Sequence, residues 1–532
     1  TPVAASYKTP VAASNRKSIL MIAAENGAIP GCKVGGIADV VQSLPPALAA
    51  LGHQVTVITP GYGLKASNPQ WLPLHTVTAM FGGLAVQGQV YEVKVEAGVR
   101  HLVLESPRIS AVGIGKVYVN DGADRPFASD ASRFALFSAL VGSWLCAGAQ
   151  AEFGVLHLHD WHAGPLAILR CFDPAYADLR RLKVVLTIHN LALQGIRPLT
   201  GDPSALHSWF PDLPLDPRII DPRWTDCVNL MRAGIVLADG VNTVSPGYAR
   251  EILAANDDAR GRHGGEGLET DLQRLAGQGQ LLGILNGVAY PEVLPGAQLP
   301  PETLLAACET QVQAWLAVAG ANVPGHAQAL ATIAAWRHHK IDVLVTSIGR
   351  LTPQKVGLLM APVAGRSALE ELLVGLGADG LLILLGSGDA DCEAFCVEVA
   401  QRHANFLYLR GFSAALADDL YRSGQLFLMP SSYEPCGISQ LLAMRAGQPC
   451  VVHQVGGLAD TVRHHQTGWC FAGADIPAQV HGLVSVFAEA CAAVRLQTPS
   501  YLAISRACAA ERFDWQVAAS AYADFYQGLA DR

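Results

Sequence analysis

Apolar runs of strand length recur along the chain, and most are followed by a glycine-rich or polar turn and then by an apolar pattern of helical period. Residues 19–24 form the first such run, residues 37–51 the first helical pattern, and residues 54–59 the next run. Strands buried on both faces of a parallel sheet read as continuous apolar runs rather than as alternating ones. The pattern therefore predicts an α/β protein that opens with a βαβ unit of Rossmann type.

The same pattern continues over the rest of the chain and divides it in two. The remaining runs that predict strands lie at residues 155–159, 184–188, 241–244, 284–285, 343–348, 381–385 and 426–429. Further helices are predicted at residues 131–147, 438–446 and 512–526. Between the two groups of strands lies an alanine-rich stretch of helical segments interrupted by prolines, which is typical of a connection between domains.

These breaks predict the order of the domains. An N-terminal Rossmann-like domain spans residues 18–290, a connection follows at 291–340, and a C-terminal Rossmann-like domain spans 341–510. Residues 511–532 form a terminal helix. Residues 1–17 contain the repeat TPVAAS and carry basic but no acidic side chains. We expect them to be a disordered tail or an expression remnant, with a trimmed transit peptide as the alternative.

Composition narrows the class of protein. The chain has 532 residues, of which 51% are hydrophobic and 15% charged, as expected of a globular protein with large cores. Its net charge of −8 argues against binding to nucleic acid or to an anionic membrane surface. The twelve cysteines include no CxxC pair, and no segment approaches the roughly 20 apolar residues of a membrane span. These features indicate an enzyme of the reducing cytosol.

One phrase occurs in both halves of the chain. The sequence VGGIADVV begins at Val34, and VGGLADTV begins at Val455. Each stands where a loop passes into a helix, and glycines in such a loop let the backbone approach a ligand closely. The repetition predicts two Rossmann-like domains whose ligand-binding edges face each other across a cleft.

Polar residues follow the predicted strands of the first half. Lys33 and two glycines stand in the loop after the first strand, where the lysine supplies a point charge. Asp160, His189 and Asn286 come directly after later strands. Ligands of open α/β sheets bind at the carboxyl ends of the strands. Each of these residues alone is an ordinary turn residue, but together they predict a polar binding edge.

The second half carries two cations and a carboxylate in equivalent positions. Arg350 and Lys355 bracket the turn after the first strand of this half, where two cations can neutralise a diphosphate. Glu434 lies between a strand and a helix, where it can hold sugar hydroxyls while amides at the helix start attract phosphate. The simpler interpretations are solvated surface charges for the cations and a helix cap for Glu434. Taken together, the three residues predict a site for a nucleotide sugar.

A histidine-rich phrase in the first half allows another chemistry. HLHDWHAG places His157, His159, Asp160 and His162 at the end of one strand, which resembles a set of metal ligands. A metallohydrolase is therefore the rival interpretation. The usual hydrolase arrangement is H-x-H-x-D-H, and the order here is different. We interpret Asp160 as a polar site residue and the histidines as residues that pack the sheet and support the site.

A series of phrases, taken in order, resembles bacterial glycogen synthases and plant starch synthases. The phrases are KVGGIADVV, HLHDWHAG, TIHNLALQG, NTVSPGYARE, GILNGV, SIGRLTPQK, SSYEPCGISQ, VGGLADTV and FDWQVAASAY. The resemblance covers nearly the whole chain after residue 17. It implies the GT-B fold, with two Rossmann-like domains facing across a deep cleft and a terminal helix that packs back on the first domain. It also implies a retaining glucosyltransferase of family GT5, which transfers glucose from ADP-glucose to the non-reducing end of an α-1,4-glucan.

The resemblance further implies roles for individual residues. Glu434 would bind the glucose, Arg350 and Lys355 would hold the diphosphate, and His189 and Asp160 would complete the catalytic set. The residues implied to bind substrate are Lys33, Gly35, Gly36, Asp39, Asn190, Asn286, Cys436, Gly437, Ile438 and Ser439. No metal or other cofactor is implied, so the expected partners are ADP-glucose and an α-glucan. The implied location is the cytoplasm, or a plastid if the tail is the remnant of a transit peptide.

The chain departs from the family pattern at several points. The first loop reads KVGG, as in some plant starch synthases, where many bacterial enzymes have KTGG. AYP at 289–291 replaces the usual Asp and Trp-x-Pro stretch, and SY at 432–433 replaces the usual Arg-Phe. The family also has an aromatic pocket residue, expected between residues 115 and 130. These departures leave two alternatives open: a glucosyltransferase that uses another nucleotide sugar or a small acceptor, and a catalytically silent glucan-binding homologue.

Overall fold

The computed structural model describes residues 16–292, 296–319 and 323–529. These residues form two compact units. Unit 1 consists of the chain up to Ala255, of Gly265–Asn286 and of the segment from Asp514 onward. Unit 2 consists of Asn256–Gly264 and Gly287–Phe513. Most of the predicted tail, residues 1–15, lies outside the described residues.

Unit 1 is built on a sheet whose inner strands are the continuous apolar runs of the sequence. Its strands are β1 (Ser18–Ile22), β2 (Gln54–Pro60), β3 (Leu72–Phe81), β4 (Leu84–Glu96), β5 (Val99–Glu105), β6 (Val155–His159), β7 (Lys183–Ile188), β8 (Ile196–Pro198), β9 (Cys227–Asn229), β10 (Gly240–Thr243) and β11 (Leu281–Gly283). Among the described residues, nine of them form one sheet in the order β11-β10-β7-β6-β1-β2-β5-β4-β3. Neighbours from β11 to β5 pair in parallel, and β4 and β3 extend the sheet in antiparallel fashion.

Helices follow most of the parallel strands of unit 1. They are α1 (Gly36–Ala50), α2 (Pro107–Ser110), α3 (Ala128–Cys146), α4 (Gly164–Phe172), α5 (Leu206–Trp209), α6 (Leu230–Leu237), α7 (Pro246–Glu251) and α8 (Glu269–Gly277). The start of α7 shows how the sequence sets these boundaries. Ser245 accepts a hydrogen bond from the amide of Tyr248, and Pro246 occupies the first helical turn, where its missing N–H costs nothing.

Unit 2 is built on a second parallel sheet. Its strands are β12 (Val343–Ile348), β13 (Pro362–Val363), β14 (Arg366–Ser367), β15 (Gly380–Gly386), β16 (Phe406–Arg410), β17 (Leu426–Met429), β18 (Cys450–His453) and β19 (Gly468–Phe471). In the described part of this unit, six strands form a sheet in the order β16-β15-β12-β17-β18-β19. Counted from its own first strand, this is the order 3-2-1-4-5-6 of the Rossmann fold.

The helices of unit 2 cover both faces of this sheet. They are α9 (Pro301–Ala319), α10 (His326–Trp336), α11 (Pro353–Met360), α12 (Ala368–Leu376), α13 (Ala390–Arg402), α14 (Ala414–Ser423), α15 (Ser439–Arg445), α16 (Gly456–Thr461), α17 (Ile476–Arg495) and α18 (Pro499–Ala510). Alternate residues of β12 enter opposite cores, with Val343 and Val345 on one side and Leu344 on the other. Burial on both faces explains why the strands read as unbroken apolar runs.

Much of the stretch predicted as a connection between domains belongs to the core of unit 2. In α9, Leu304, Cys308 and Val312 recur at helical spacing and are buried. Together with Trp336 of α10, they pack against the face of the sheet that includes Leu344. The alanine-rich composition concealed this amphipathic spacing in the sequence.

The last helix, α19 (Trp515–Gly528), belongs to unit 1 and packs against α1. Its side chains Tyr522, Phe525 and Tyr526 share a core with Val40 and Leu44 of α1. Unit 1 is therefore discontinuous in sequence, because its last helix follows nearly the whole of unit 2.

Helix α17 is the one helix in the described ranges that is long and apolar enough to cross a membrane by length and composition. Its buried side chains, among them Val480, Leu483, Phe487 and Val494, pack in the core of unit 2. Packing of one helix face into this core accounts for the apolar composition.

The packing of α9 predicts different effects for two substitutions in the same helix. Leu304→Ala truncates a fully buried side chain and should lower the free energy of unfolding by about 2–5 kcal/mol. Val318→Ala changes a side chain that is 91% exposed. This control should shift the free energy of unfolding by less than about 0.5 kcal/mol. Urea titration followed by circular dichroism measures both, and an unchanged transition for Leu304→Ala would contradict the assignment of α9 to the core.

Candidate active site

Each sheet has one position at which the order of the strands reverses. It lies between β1 and β6 in unit 1 and between β12 and β17 in unit 2. At such a position the connections run to opposite faces, which leaves a crevice outside the carboxyl ends of the strands where ligands bind. The predicted site residues of both units lie in the loops after these strands or after strands on the same edge.

The loop after β1 is held by a carboxylate that the sequence analysis did not identify. Glu25 is buried, and one of its oxygens accepts hydrogen bonds from the amides of Val34 and Gly35, each at 2.7 Å. Its other oxygen accepts a hydrogen bond from the hydroxyl of Tyr118 at 2.6 Å. Because a charged acceptor forms strong hydrogen bonds, Glu25 fixes the path of the backbone that leads into α1.

Lys33 and Asp39 lie in contact at the start of α1. The two side chains form a salt bridge, and both are partly exposed. Among the described residues, a Cβ at Gly36 would meet no atom within 4 Å beyond its own helix and neighbours, and one at Gly35 would meet only Glu25. The backbone of this loop is therefore open to close approach, as its glycines predicted.

Asp160 adopts a strained backbone conformation at the end of β6. Its φ of 57° and ψ of −170° lie in a region that residues other than glycine rarely occupy. The buried carboxyl group accepts a hydrogen bond from the amide of His189 at 2.7 Å, which ties the loops after β6 and β7 together. Burial raises the pKa of Asp160 to about 8, the charge of Glu25 acts in the same direction, and the amides of His189 and Asn190 oppose it. Backbone strain and a shifted pKa together are typical of a functional site.

Hydrogen bonds inside unit 1 occupy both ring nitrogens of His157 and one of His159, which leaves fewer ring nitrogens of HLHDWHAG for a metal ion. His157 Nδ1 lies 2.6 Å from the hydroxyl of Tyr526, and its Nε2 lies 2.6 Å from that of Thr187. His159 Nδ1 lies 2.9 Å from His189 Nε2. Burial lowers the pKa of His157 and of His189 to about 3, so both rings are neutral at pH 7. In the part of the chain that the structure describes, no three His, Cys, Asp or Glu side chains are grouped to hold a metal ion.

Three predicted residues at this edge differ in how they are held. His189 is partly exposed at the end of β7. Asn190 accepts a hydrogen bond from the amide of Ala192 in a tight turn. Asn286 is buried, and its Oδ1 has no hydrogen-bond partner among the described residues. A buried amide oxygen without a partner is costly, so Asn286 is a candidate contact for a polar ligand.

In unit 2, a carboxylate and a cation meet where the strand order reverses. The ammonium group of Lys355 forms a salt bridge with Glu434, which is only 5% exposed. The hydroxyl of Ser431 donates a hydrogen bond to the same carboxylate oxygen at 3.0 Å. Helix α15 begins at Ser439 without a side-chain cap, so the interpretation of Glu434 as a helix cap is wrong. The carboxylate is instead held by the cation that a buried charge requires.

The loop after Glu434 is fixed against the second copy of the glycine phrase. The backbone carbonyl of Glu434 accepts a hydrogen bond from the amide of Gly457 at 2.9 Å. A Cβ at Gly457 would lie 2.2 Å from the carbonyl oxygen of Cys436, so only glycine fits there. Gln440 donates hydrogen bonds to the carbonyls of Cys436 and Gly437 at 3.0 and 3.1 Å. The path from Glu434 to the start of α15 is therefore determined by hydrogen bonds to the backbone carbonyls of this segment.

Arg350 is the least constrained of the predicted site residues. It is exposed at the end of β12 and makes no hydrogen bond or ion pair with the residues that the structure describes. A guanidinium group without a carboxylate partner is available to an anion. Ile438 and Ser439, at the start of α15, are also partly exposed. The structure thus brings Lys355 and Glu434 into contact, whereas Arg350 has no such partner.

Two residues of the candidate site in unit 1, Glu25 and Tyr118, were not predicted from the sequence. Glu25 stands just after β1, so the rule that selected the other strand-end residues could have selected it as well. Tyr118 lies in the interval where an aromatic residue was expected, but no strand anchors it in the sequence. Its ring lies 5.5 Å from that of His162, and its hydroxyl contacts Glu25.

Two family models match the chain in succession. A starch synthase catalytic domain model matches residues 18–274, and a glycosyl transferases group 1 model matches residues 342–489. The first match lies mostly in unit 1, and the second includes the sheet of unit 2.

Curated relatives extend this similarity to almost the full length. The glycogen synthase of Gloeobacter violaceus is 33% identical over 97% of this chain and 99% of its own length. The glycogen synthase of Streptococcus gordonii is 32% identical over 96% of this chain and 99% of its own length.

A solved structure supports the fold. The catalytic domain of starch synthase IV from Arabidopsis thaliana, determined with ADP and acarbose bound, matches with a TM-score of 0.72 at 24% identity. The match covers 97% of this chain and 100% of that chain. The predicted fold class, GT-B with two Rossmann-like domains, is confirmed. As the resemblance predicted, the chain belongs to the glycogen synthase and starch synthase family of glycosyltransferases.

Proposed function

We propose that the protein transfers glucose from ADP-glucose to the non-reducing 4-hydroxyl of an α-1,4-glucan with retention of configuration. The observation that carries this proposal is the contact of Lys355 with Glu434 where the strand order of unit 2 reverses. A cation and a carboxylate at one point suit the two parts of a nucleotide sugar, an anionic diphosphate and a polyhydroxyl sugar. The curated relatives are glycogen synthases, and the similar structure was determined with ADP and acarbose, which supports this donor and acceptor.

In the proposed reaction, the protein stabilises a departing diphosphate. The bond between the anomeric carbon of glucose and a phosphate oxygen breaks, and that oxygen gains negative charge as it leaves. The 4-hydroxyl oxygen of the acceptor forms the new bond on the same face of the sugar, and its proton passes to the departing diphosphate. Lys355 and Arg350, both in the segment after β12, supply positive charge for that oxygen. Their effect on the rate arises because the leaving oxygen is more negative in the transition state than in the donor.

Glu434 has the complementary task. As the leaving group departs, the glucose ring becomes oxocarbenium-like and gains positive charge. A carboxylate that accepts hydrogen bonds from the glucose hydroxyls opposes this charge without forming a covalent bond to the sugar. Cys436, Gly437 and the start of α15 would line the same part of the site, because their backbone follows directly from Glu434.

Residues of unit 1 are assigned to the binding of glucose and acceptor, with His189 and Asp160 in the catalytic set. Asp160 holds the loop that carries His189 and Asn190, so its carboxyl group sets where these two residues present polar atoms. Asn286 offers a buried amide oxygen, and Lys33 with Asp39 offers a charged pair beside an open glycine backbone. Polar groups held rigidly in this way can bind hydroxyl groups at low entropic cost.

The proposed reaction needs no metal ion and no other cofactor. Two side-chain cations are available to balance the diphosphate, and three of the four ring nitrogens of His157 and His159 are already engaged. We place the enzyme in the cytoplasm, or in a plastid if the N-terminal tail is the remnant of a transit peptide. Its proposed partners are the nucleotide sugar and the glucan.

A donor assay with and without glycogen tests the proposed function. Radiolabelled glucose from ADP-glucose should appear in glycogen, and the rate should be unchanged in excess EDTA. Transfer only to a small acceptor, or only from another nucleotide sugar, would favour the alternative glucosyltransferase. Glycogen binding without any transfer would favour a silent homologue. Loss of activity in EDTA that zinc or manganese restores would show that a metal takes part.

Removing either proposed leaving-group cation should slow turnover. We expect Lys355→Ala and Arg350→Ala each to lower kcat by at least about 100-fold. Thermal stability should separate the two variants, because only Lys355→Ala leaves the buried carboxylate of Glu434 without its cation. Steady-state kinetics and melting temperatures measure both effects. Near-normal turnover of either variant in a folded protein would remove that residue from the proposed mechanism.

Substitution of Glu434 tests its electrostatic role. Glu434→Gln keeps the size of the side chain but removes the charge that opposes the oxocarbenium ion, so kcat should fall much more than the affinity for ADP-glucose. Glu370→Gln is a matched control, since Glu370 also forms a salt bridge with a cation in unit 2, but with Arg402, which lies just before β16 at the amino ends of the strands. The control should lose stability and keep its kcat. Equal kcat values for the two variants would contradict the role of Glu434.

A further inference from the structure

A row of three imidazole rings runs through unit 1 and ends at the proposed site. His157 and His159 are neighbours on one face of β6, and their rings stack with centroids 4.3 Å apart and planes inclined by 19°. His159 continues the row, since its Nδ1 lies 2.9 Å from His189 Nε2 and the two ring centroids are 5.2 Å apart. The position of the His189 ring therefore depends on two rings that lie deeper in the unit.

The deepest ring is held by side chains of the last helix and of two neighbouring strands. The hydroxyl of Tyr526 on α19 lies 2.6 Å from His157 Nδ1, and Thr187 Oγ1 lies 2.6 Å from His157 Nε2. Thr187 donates a hydrogen bond to Asn242 Oδ1 at 2.7 Å. Asn242 Nδ2 in turn donates to the hydroxyl of Tyr522, also on α19, at 2.9 Å. The chain of hydrogen bonds thus begins and ends on the same helix, one turn apart.

The directions of these hydrogen bonds follow from the number of protons available. The side chain of Asn242 also forms a hydrogen bond with the backbone carbonyl of Thr243. Because a carbonyl oxygen only accepts, the side-chain nitrogen of Asn242 must face Thr243, and the side-chain oxygen of Asn242 must face Thr187. The single hydroxyl hydrogen of Thr187 is then used, and Thr187 must accept a hydrogen bond from His157 Nε2. A neutral imidazole carries one N–H, so His157 Nδ1 accepts and Tyr526 donates.

We propose that Tyr526 is a positioning residue for His189. Thr187 fixes His157 as the Nε2–H tautomer, and the hydroxyl of Tyr526 donates to the remaining nitrogen, Nδ1, and holds the His157 ring in place. Through the stack with His159, this contact sets where the imidazole of His189 lies at the end of β7. The catalytic consequence rests on the proposed function of His189, whereas the tautomer of His157 does not. A residue that acts in this way changes turnover by displacing a reacting group and leaves substrate affinity nearly unchanged.

Tyr526→Phe and Tyr522→Phe form a matched pair of variants. Both tyrosines are buried on the same face of α19, and each substitution removes one hydroxyl group. Tyr526→Phe removes the donor to His157 Nδ1, which holds the ring in place. Tyr522→Phe removes an acceptor at the other end of the chain, where Asn242 retains the carbonyl of Thr243. A merely structural role of α19 predicts similar effects for the two variants.

Steady-state kinetics of the full-length protein distinguish these cases. We expect Tyr526→Phe to lower kcat about tenfold with KM values for donor and glucan within about twofold, and Tyr522→Phe to keep kcat within about twofold. Similar losses of melting temperature are expected for both. Equal kcat values for the two variants would overturn the proposal, as would a loss at Tyr526 that is confined to KM.

Nitrogen NMR of ring-labelled histidine tests the first step without any activity measurement. The wild-type protein at neutral pH should show His157 as the Nε2–H tautomer, with its resonance assigned by its loss in His157→Gln. A wild-type Nδ1–H tautomer would overturn the proposal even if a variant fails to fold. In Tyr526→Phe the ring resonances of His157 and His189 should shift, and unchanged resonances would also overturn it. If the rings respond as expected but the wild type transfers no glucose, the proposed function fails and the positioning of the ring stands.

Discussion

The reversal of strand order in each sheet is the constraint on which the rest of the site depends. Connections between parallel strands are right-handed, so helices leave on opposite faces from the two strands that flank a reversal. The loops after β1 and β6, and those after β12 and β17, consequently part from each other and leave their polar side chains uncovered. Glu25, Asp160, Lys355 and Glu434 all occupy these loops or the helix starts that follow them. The chemistry of the protein is thus located by topology before any single side chain is considered.

A second constraint is that the polar groups at these positions are buried, so each of them needs a hydrogen-bond or ion-pair partner. Glu25 is satisfied by two amides and a hydroxyl, Asp160 by the amide of the neighbouring loop, and Glu434 by Lys355 and Ser431. In a medium of low dielectric constant, such contacts are strong when complete and costly when one partner is missing. In each unit, the proposed site residues are therefore held in one arrangement by their own polar contacts.

The fold could be predicted from the sequence because the inner strands of both sheets are buried on both faces and therefore consist of continuous apolar runs. The sequence also predicted Lys355 and Glu434 as site residues, but these two residues are 79 apart in the sequence, and their contact depends on β12 lying next to β17, which no local pattern encodes. The metal interpretation of His157 and His159 arose from residue type alone. Spacing could not reveal that hydroxyls from β7 and α19 already occupy the ring nitrogens of His157. Helices α9 and α10 were assigned to a connection rather than to the core of unit 2, because alanine obscures the spacing of the few large side chains that they bury.

The discontinuity of unit 1 has a consequence for the order in which the protein is made. Helix α19 is translated only after Gly287–Phe513, which forms nearly all of unit 2. Until α19 leaves the ribosome, the apolar face of α1 and the polar groups of His157 and Asn242 lack the partners that cover them in the finished protein. Chains usually fold their first domain first during synthesis. In this protein, unit 1 begins to be synthesised first but is completed last. The face of unit 1 that α19 covers is therefore accessible to chaperones and prone to aggregation while unit 2 is being synthesised.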